Sequence, residues 1–310
     1  MSGARTHLGQ GVVLMVAAVS CFAAMDTTVR HLGSAAPVLL LLILRYLTQA
    51  LVMAPALALS GLGFRSPRPR FQILRALLLL GCSAATFMGL RYLPVAENTA
   101  ITMLTPVLVT LLSVLLFKEH ISVLRWVLVL GAFAGALIVI RPGSGLFGWA
   151  VFWPLGGSLA YAGFQLITSH FAAREDPYIT HFWTGAIGAL ALMPAWPLGV
   201  VDVLGAWQAL PTGSRVSIAV IGLLGTGGHL LLILALGRAP GSQLMPLIYV
   251  QIAAAVLLGW LVLDHVPDGW AWVGMAVIAA CGAATAMLNL RAAALARREI
   301  STVEADTTAN

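Results

Sequence analysis

The sequence predicts an all-α membrane protein, with ten transmembrane helices in two inverted five-helix repeats. Three observations carry that prediction. The first is composition: 60% of the 310 residues are hydrophobic and 9% are charged, with a mean hydropathy of +0.96. A soluble domain carries roughly 25% charged residues, and no soluble core absorbs this much apolar sequence. The second is the division of the chain into apolar runs long enough to span a bilayer. The third is duplication: the second half repeats the first, and the distribution of Lys and Arg turns that repeat upside down.

A bilayer core needs about 20 mostly apolar residues per helix. Cut at its charged, Pro and Gly clusters, the chain yields ten such runs, at 9–30, 36–59, 73–92, 95–117, 122–140, 146–172, 178–199, 215–236, 241–263 and 268–290. The first contains Val12 to Thr28, too long a stretch for a secretory signal and without a convincing cleavage site, so it reads as an uncleaved helix. The second is bounded by Pro37 and holds Pro55, the fourth opens after Pro94 and holds Pro106, and the ninth opens after Pro240 and holds Pro246. Connections between runs are short and leave no room for an extramembrane domain. The domains are therefore 1–140 and 146–290, five helices each, followed by a polar 291–310 tail expected to be disordered and cytoplasmic.

Lys and Arg counts in short loops orient a membrane protein. With the N-terminus in the cytoplasm, the inner side holds Arg5, Arg65, Arg68, Arg70, Arg75, Lys118, Arg125, Arg174, Arg238, Arg291, Arg297 and Arg298. The outer side holds Arg30, Arg91, Arg141 and Arg215. Both termini are thus expected in the cytoplasm, with the chain in a bacterial inner membrane. Each half has an odd number of spans, so the second half enters the membrane the opposite way up. The net charge of +6 serves this orientation and does not point to nucleic acid.

The duplication is clearest around the fourth and ninth runs. Pro94-x2-Glu97-Asn98, an apolar run with Pro106, Glu119-His120-Ile121 and Trp126 parallel Pro240-x2-Gln243-Leu244, an apolar run with Pro246, Asp264-His265-Val266 and Trp270. Pro37 to Pro55 also resembles Pro177 to Pro194, and Ser20-x-Phe22 loosely parallels Ser158-x-Ala160-Tyr161. Inverted repeats of this scale are typical of transporters that alternate access around a midplane site.

Depth along each helix follows from a rise of about 1.5 Å per residue. That places Met103, Thr105 and Pro106 near mid-membrane in the fourth run, where proline frees a backbone carbonyl. Tyr249 reaches the same depth beside Pro246, as do Cys82 and Thr86 in the third run; Tyr161 and Gln165 share a face of the sixth. Together they read as a cavity of small, aromatic and neutral polar side chains, or as helix packing, which small residues also serve. Arg45 lies near the middle of the second run, either as a clamp for a substrate carboxylate or as a structural arginine bonded to carbonyls. Asp26 is spaced to pair with Arg30 on one helix, or serves proton coupling. His181 and His229 read as packed histidines or as a proton relay. Glu97 and Asn98 read as caps of the fourth helix, and the Glu119-His120 and Asp264-His265 pairs as turn residues on opposite faces that no single metal ion joins.

No Walker loop, HExxH, GxSxG or CxxC motif is present, so neither a nucleotide site, a metal nor another cofactor is expected. Gly225-Thr226-Gly227-Gly228 lies within a span and suits close helix packing. Cys21, Cys82 and Cys281 all fall in apolar runs and offer no disulfide framework. An intramembrane enzyme would rest on Ser20 with His229 alone, and a receptor would bring larger loops.

The segment Gly89-Leu90-Arg91-Tyr92-Leu93-Pro94-Val95-Ala96-Glu97-Asn98, then Leu104-Thr105-Pro106-Val107, then Lys118-Glu119-His120-Ile121-Ser122, resembles the EamA domain of the drug/metabolite transporter superfamily. Ala235 to Pro240 through Asp264-His265 is a looser second copy, departing at His265 and Pro267. Within that superfamily the chain looks most like the YddG-type amino acid exporters. The resemblance implies two inverted five-helix repeats and export of neutral, aromatic or apolar amino acids or similar metabolites, with a multidrug or other metabolite exporter as the alternative. A monomer in the lipid bilayer is expected, and uniport suits the scarcity of midplane carboxylates better than proton-linked exchange.

Overall fold

The structure, a computed structural model, describes residues 2–118, 122–142, 147–171, 176–238 and 244–309. Glu119, His120, Ile121, Arg174 and Pro240 to Gln243 lie outside them. Helices in order are α1 (Ser2–Leu32), α2 (Val38–Ser60), α3 (Pro69–Tyr92), α4 in two segments (Val95–Thr102 and Thr105–Phe117) and α5 (Val123–Ile140). The second half follows with α6 (Phe152–Phe171), α7 (Pro177–Leu192), α8 (Thr212–Arg238), α9 (Val250–Leu263) and α10 (Gly269–Ala309). A 3-10 turn, Met245–Tyr249, leads into α9, and another, Gly148–Val151, leads into α6.

Among the described residues, nine helices are long and apolar enough to cross a membrane. The tenth, α7, has 16 helical residues and is extended by the 3-10 turn Met193–Ala195, so the span expected at 178–199 ends early. Pro194 stops it by removing a backbone donor. A short helix, Val203–Ala209, capped by the Asp202 side chain on the Gly205 N–H, fills the connection to α8. The expected tail at 291–310 is described differently as well: α10 continues through it to Ala309. Large apolar side chains such as Leu51, Leu59, Leu130, Leu223 and Leu261 are exposed, which is what lipid contact allows. Trp126, Trp149, Trp196, Trp270 and Trp272 sit near helix ends, where an aromatic belt is expected.

The helix contacts obey a two-fold rule. Replacing each helix by the one five positions along the chain converts α1 on α8 into α6 on α3, α1 on α9 into α6 on α4, and α2 on α8 into α7 on α3; all six contacts are made. The pairs α2 on α7, α4 on α9 and α5 on α10 map onto themselves. With five spans per half, the operation also reverses the direction of crossing, so the repeat is inverted. The seam of α5 and α10 is closest at Gly135 and Gly274, where a Cβ on either would meet the other's carbonyl oxygen at 3.0 and 2.6 Å. Only glycine permits this approach, as small residues do at many membrane helix crossings.

Candidate functional site

Pro106 breaks α4. It has no N–H to give the Thr102 carbonyl, and its ring crowds that turn. The helix stops at Thr102, resumes at Thr105, and the Thr105 hydroxyl donates to the freed Thr102 carbonyl at 2.7 Å. In the second repeat the 3-10 turn Met245–Tyr249 gives way to α9 at Val250. The repeat offset between Pro94 and Pro240 maps Met103, at the first break, onto Tyr249, at the second. Discontinuous helices in matching positions of two inverted repeats are where such transporters bind their cargo.

A cavity of about 90 Å³ lies beside these breaks. Phe22, Met25 and Asp26 of α1, Arg45 of α2, Leu79, Cys82, Ser83, Thr86 and Phe87 of α3, and Thr102 and Met103 of α4 form most of its wall. Tyr161 of α6, His229 of α8 and Gln251 of α9 close it. Pockets that hold small molecules usually run to about 300 Å³ or more. The cavity is smaller than that range.

Two groups of opposite charge face this space, each with hydrogen-bonding atoms left open. Arg45 is 1% exposed and Asp26 4% exposed. The Asp26 Oδ1 and the Arg45 Nε and Nη1 have no hydrogen-bond partner. Arg45 instead lies over the Tyr46 ring, 4.5 Å from its centre, and the Tyr46 hydroxyl bonds Ser83 at 3.0 Å. Leaving a buried polar group unmade costs about 1–3 kcal/mol, more for a charge. Groups kept in that condition are poised for a ligand or for solvent admitted with it.

The neutral wall is also ordered. His229 Nδ1 lies 2.9 Å from the Gly225 carbonyl, which only accepts, so Nδ1 carries the proton and Nε2 of the neutral ring is an acceptor. His229 meets Phe22 edge-on at 4.7 Å and stacks on His181 at 5.9 Å. Gln49 Nε2 donates to the His181 carbonyl at 2.9 Å and approaches His181 Nδ1 at 3.1 Å, which ties α2 to α7. Tyr161 stacks on Phe164 at 5.4 Å, and Phe164 lies under the Arg75 guanidinium.

Of the residues expected at the site, Asp26, Arg45, Cys82, Thr86, Met103, Tyr161 and His229 line the cavity. Four do not. Gln165 stands behind the wall, hydrogen-bonded to the Tyr161 side chain. Thr105 is turned back onto Thr102, and Pro106 acts by breaking the helix. Tyr249 is buried with its hydroxyl unpartnered, and its ring fills the space where a Cβ on Gly282 of α10 would stand. Distance along a helix does not fix the direction of a side chain, which is set by its helix neighbours.

The spacing of Asp26 and Arg30 suggested a pair, and none is made. Arg30 Nη1 donates to the Leu90 and Arg91 carbonyls at 2.8 and 2.7 Å, closing the end of α3. Arg45 is bonded to no carbonyl among the described contacts. Glu97 does not cap α4, which has no side-chain cap; its Oε1 accepts from His265 Nε2 at 3.2 Å and joins the start of α4 to the end of α9. His265 is thus more than a turn residue. Gln251, Ser83 and Phe22 belong to the site and were missed. Phe22 and Gln251 had a usable signal: the first falls in the Ser20-x-Phe22 match, and the second lies one residue past the equivalent of the α4 break.

Comparison with known proteins agrees with this architecture. The model of the EamA-like transporter family matches residues 9–141 and 148–287, one copy per repeat. A riboflavin transporter of Rhizobium johnstonii is 28% identical over 226 residues, 72% of either chain. An S-adenosylmethionine uptake transporter of Rickettsia conorii is 22% identical, covering 85% of this chain and 87% of its own. A solved crystal structure superposes with a TM-score of 0.62 at 19% identity, covering 91% of this chain and 98% of that one, which supports the fold.

Proposed function

The chain belongs to the EamA-like transporter family, and from that premise we propose that it carries zwitterionic metabolites with an aromatic or apolar body, such as aromatic amino acids, across the bacterial inner membrane by alternating access. The observation that carries this reading is the pair of buried, oppositely charged groups, Asp26 and Arg45, whose Oδ1, Nε and Nη1 have no hydrogen-bond partner, in one cavity walled by Phe22, Phe87 and Tyr161. A carboxylate suits the guanidinium, an ammonium suits the carboxylate, and rings accept an apolar body. The preponderance of Lys and Arg at the face where α1 begins supports cytoplasmic termini. One chain supplies both repeats and the whole cavity wall, so a monomer suffices. Export is the direction expected from the sequence resemblance; among the relatives are one named for S-adenosylmethionine uptake and one named for pseudopaline export.

The relatives bear on cargo in different ways. S-adenosylmethionine ends in an amino acid zwitterion, which suits Asp26 and Arg45, whereas riboflavin brings a flat ring system without a carboxylate. Counterflow in proteoliposomes loaded with L-tryptophan, L-phenylalanine, S-adenosylmethionine or riboflavin separates them. Exchange of the amino acids, reduced about tenfold by Tyr161→Ala as loss of ring contact predicts, is the expected result. Exchange of riboflavin alone would overturn the zwitterion reading while leaving transport intact.

A further inference from the structure

We propose that two glycines of the second repeat, Gly188 and Gly225, are positioning residues that hold the Arg45 guanidinium as a carboxylate receptor; this rests on the substrate reading above. Arg45 and Tyr46 are adjacent on α2, and both are essentially fully buried. The guanidinium has no hydrogen bond at Nε or Nη1, so its seat on the Tyr46 ring and the packing around it help to place it. Two helices of the other repeat do so. On α7, a Cβ at Gly188 would stand among the Tyr46 ring atoms, 2.7 Å from Cγ and 2.9 Å from Cε1. On α8, a Cβ at Gly225 would come within 3.0 Å of Arg45 Nε and 3.6 Å of its Cζ. Gly188 thus admits the ring on which the guanidinium lies, and Gly225 admits the guanidinium itself. The same Gly225 carbonyl holds His229 Nδ1, so one turn of α8 sets two walls of the cavity.

This has a consequence for specificity. A side chain at Gly225 crowds Arg45 Nε and the Met25 sulfur, which must give by a few tenths of an ångström, and one at Gly188 forces the Tyr46 ring to move; either change disturbs the seat of the cation. Charge-assisted hydrogen bonds depend steeply on such geometry. The loss should fall on the carboxylate of a cargo and spare cargo without one. Gly227 supplies a control on the same helix: a Cβ there meets nothing within 4 Å.

The experiment measures counterflow of L-tryptophan and of tryptamine, its decarboxylated analogue, by wild type, Arg45→Gln, Gly188→Ala, Gly225→Ala and Gly227→Ala, each checked for its melting temperature. Wild type and Gly227→Ala are expected to prefer tryptophan. Arg45→Gln and Gly188→Ala should lose that preference about tenfold or more, through a raised KM for tryptophan, the size set by one charge-assisted hydrogen bond. Gly225→Ala should lose it to a smaller extent, with tryptamine unchanged. A preference lost in Arg45→Gln and kept in both glycine variants overturns the positioning role. A wild type without preference overturns the substrate reading instead, and equal losses for both probes would show a structural effect only.

Discussion

Eleven of the fourteen residues around the cavity come from the first repeat, and they include both charges, Asp26 and Arg45. The second repeat contributes Tyr161, His229 and Gln251, all able to bond in neutral form. Yet the helix contacts of the two halves are interchangeable under the two-fold rule. The two halves share their packing, while their contributions to the lining differ. With the offset between Pro37 and Pro177, Arg45 maps onto Gly185, a residue whose missing Cβ makes room for Gln49 and the Ala50 backbone. One repeat brings the charges, and its counterpart brings space at the equivalent position.

The comparison is broken most forcefully at Arg45. Arg45→Gln should lower tryptophan counterflow ten- to a hundredfold, the range expected for about 1.5–3 kcal/mol of charge-assisted bonding. A loss below threefold would mean that the asymmetry of charge has no role in recognition. Gln251→Ala, on the neutral side, should cost about threefold, the size of a typical net hydrogen bond near 1 kcal/mol. A larger loss there than at Arg45 would reverse the division of labour between the repeats.

Pro106→Ala sharpens the comparison at the level of helix shape. It returns an N–H to α4, which should raise the melting temperature while slowing turnover a few-fold, because the break beside the cavity is where a rocking repeat bends. Turnover unchanged with a straightened α4 would remove the break from the mechanism.

The smallest effect is expected far from the cavity, at Asp268, whose side chain pairs with Arg141 between α5 and α10. The Ala271 backbone N–H and then Arg141 hold its carboxyl below the usual range. Because the folded value is depressed, any stabilisation is complete above the unfolded value of about 3.9 and disappears as pH falls through the folded value. Asp268→Asn should therefore leave transport unaltered, lower the melting temperature slightly at neutral pH, and flatten the acid limb of a melting curve series, because the variant has no such stabilisation to lose. A transport defect would show that this seam moves during the cycle.

Much of this was legible in the sequence, for reasons that differ by residue. Ten apolar runs and an odd number per half determine the inverted topology, because a bilayer leaves few alternatives. Pro106 announced a break through its missing donor. Side-chain direction was not legible: Asp26 and Arg30 have ideal spacing for a pair, but Arg30 finds the open carbonyls of α3, which no local pattern reveals. Tyr249 turns to Gly282, a contact fixed only when α9 and α10 pack. Gly225 and Gly228 were readable as packing glycines, but not as the neighbours of Arg45 and of Phe22. The apolar length of the run around α7 hid its early stop, since Pro194 ends a helix that composition alone would extend.

The most direct test of the cavity as the cargo site uses a native thiol. Cys82 lines the cavity, whereas Cys281 lies in the α5–α10 seam beside Gly131. Alkylation by N-ethylmaleimide is followed at each in single-cysteine proteins, with and without a saturating amount of whichever compound gives the strongest counterflow. That compound should slow modification of Cys82 several-fold and leave Cys281 unchanged. Equal rates at Cys82 with and without it would place the cargo elsewhere and contradict a binding site between the repeats.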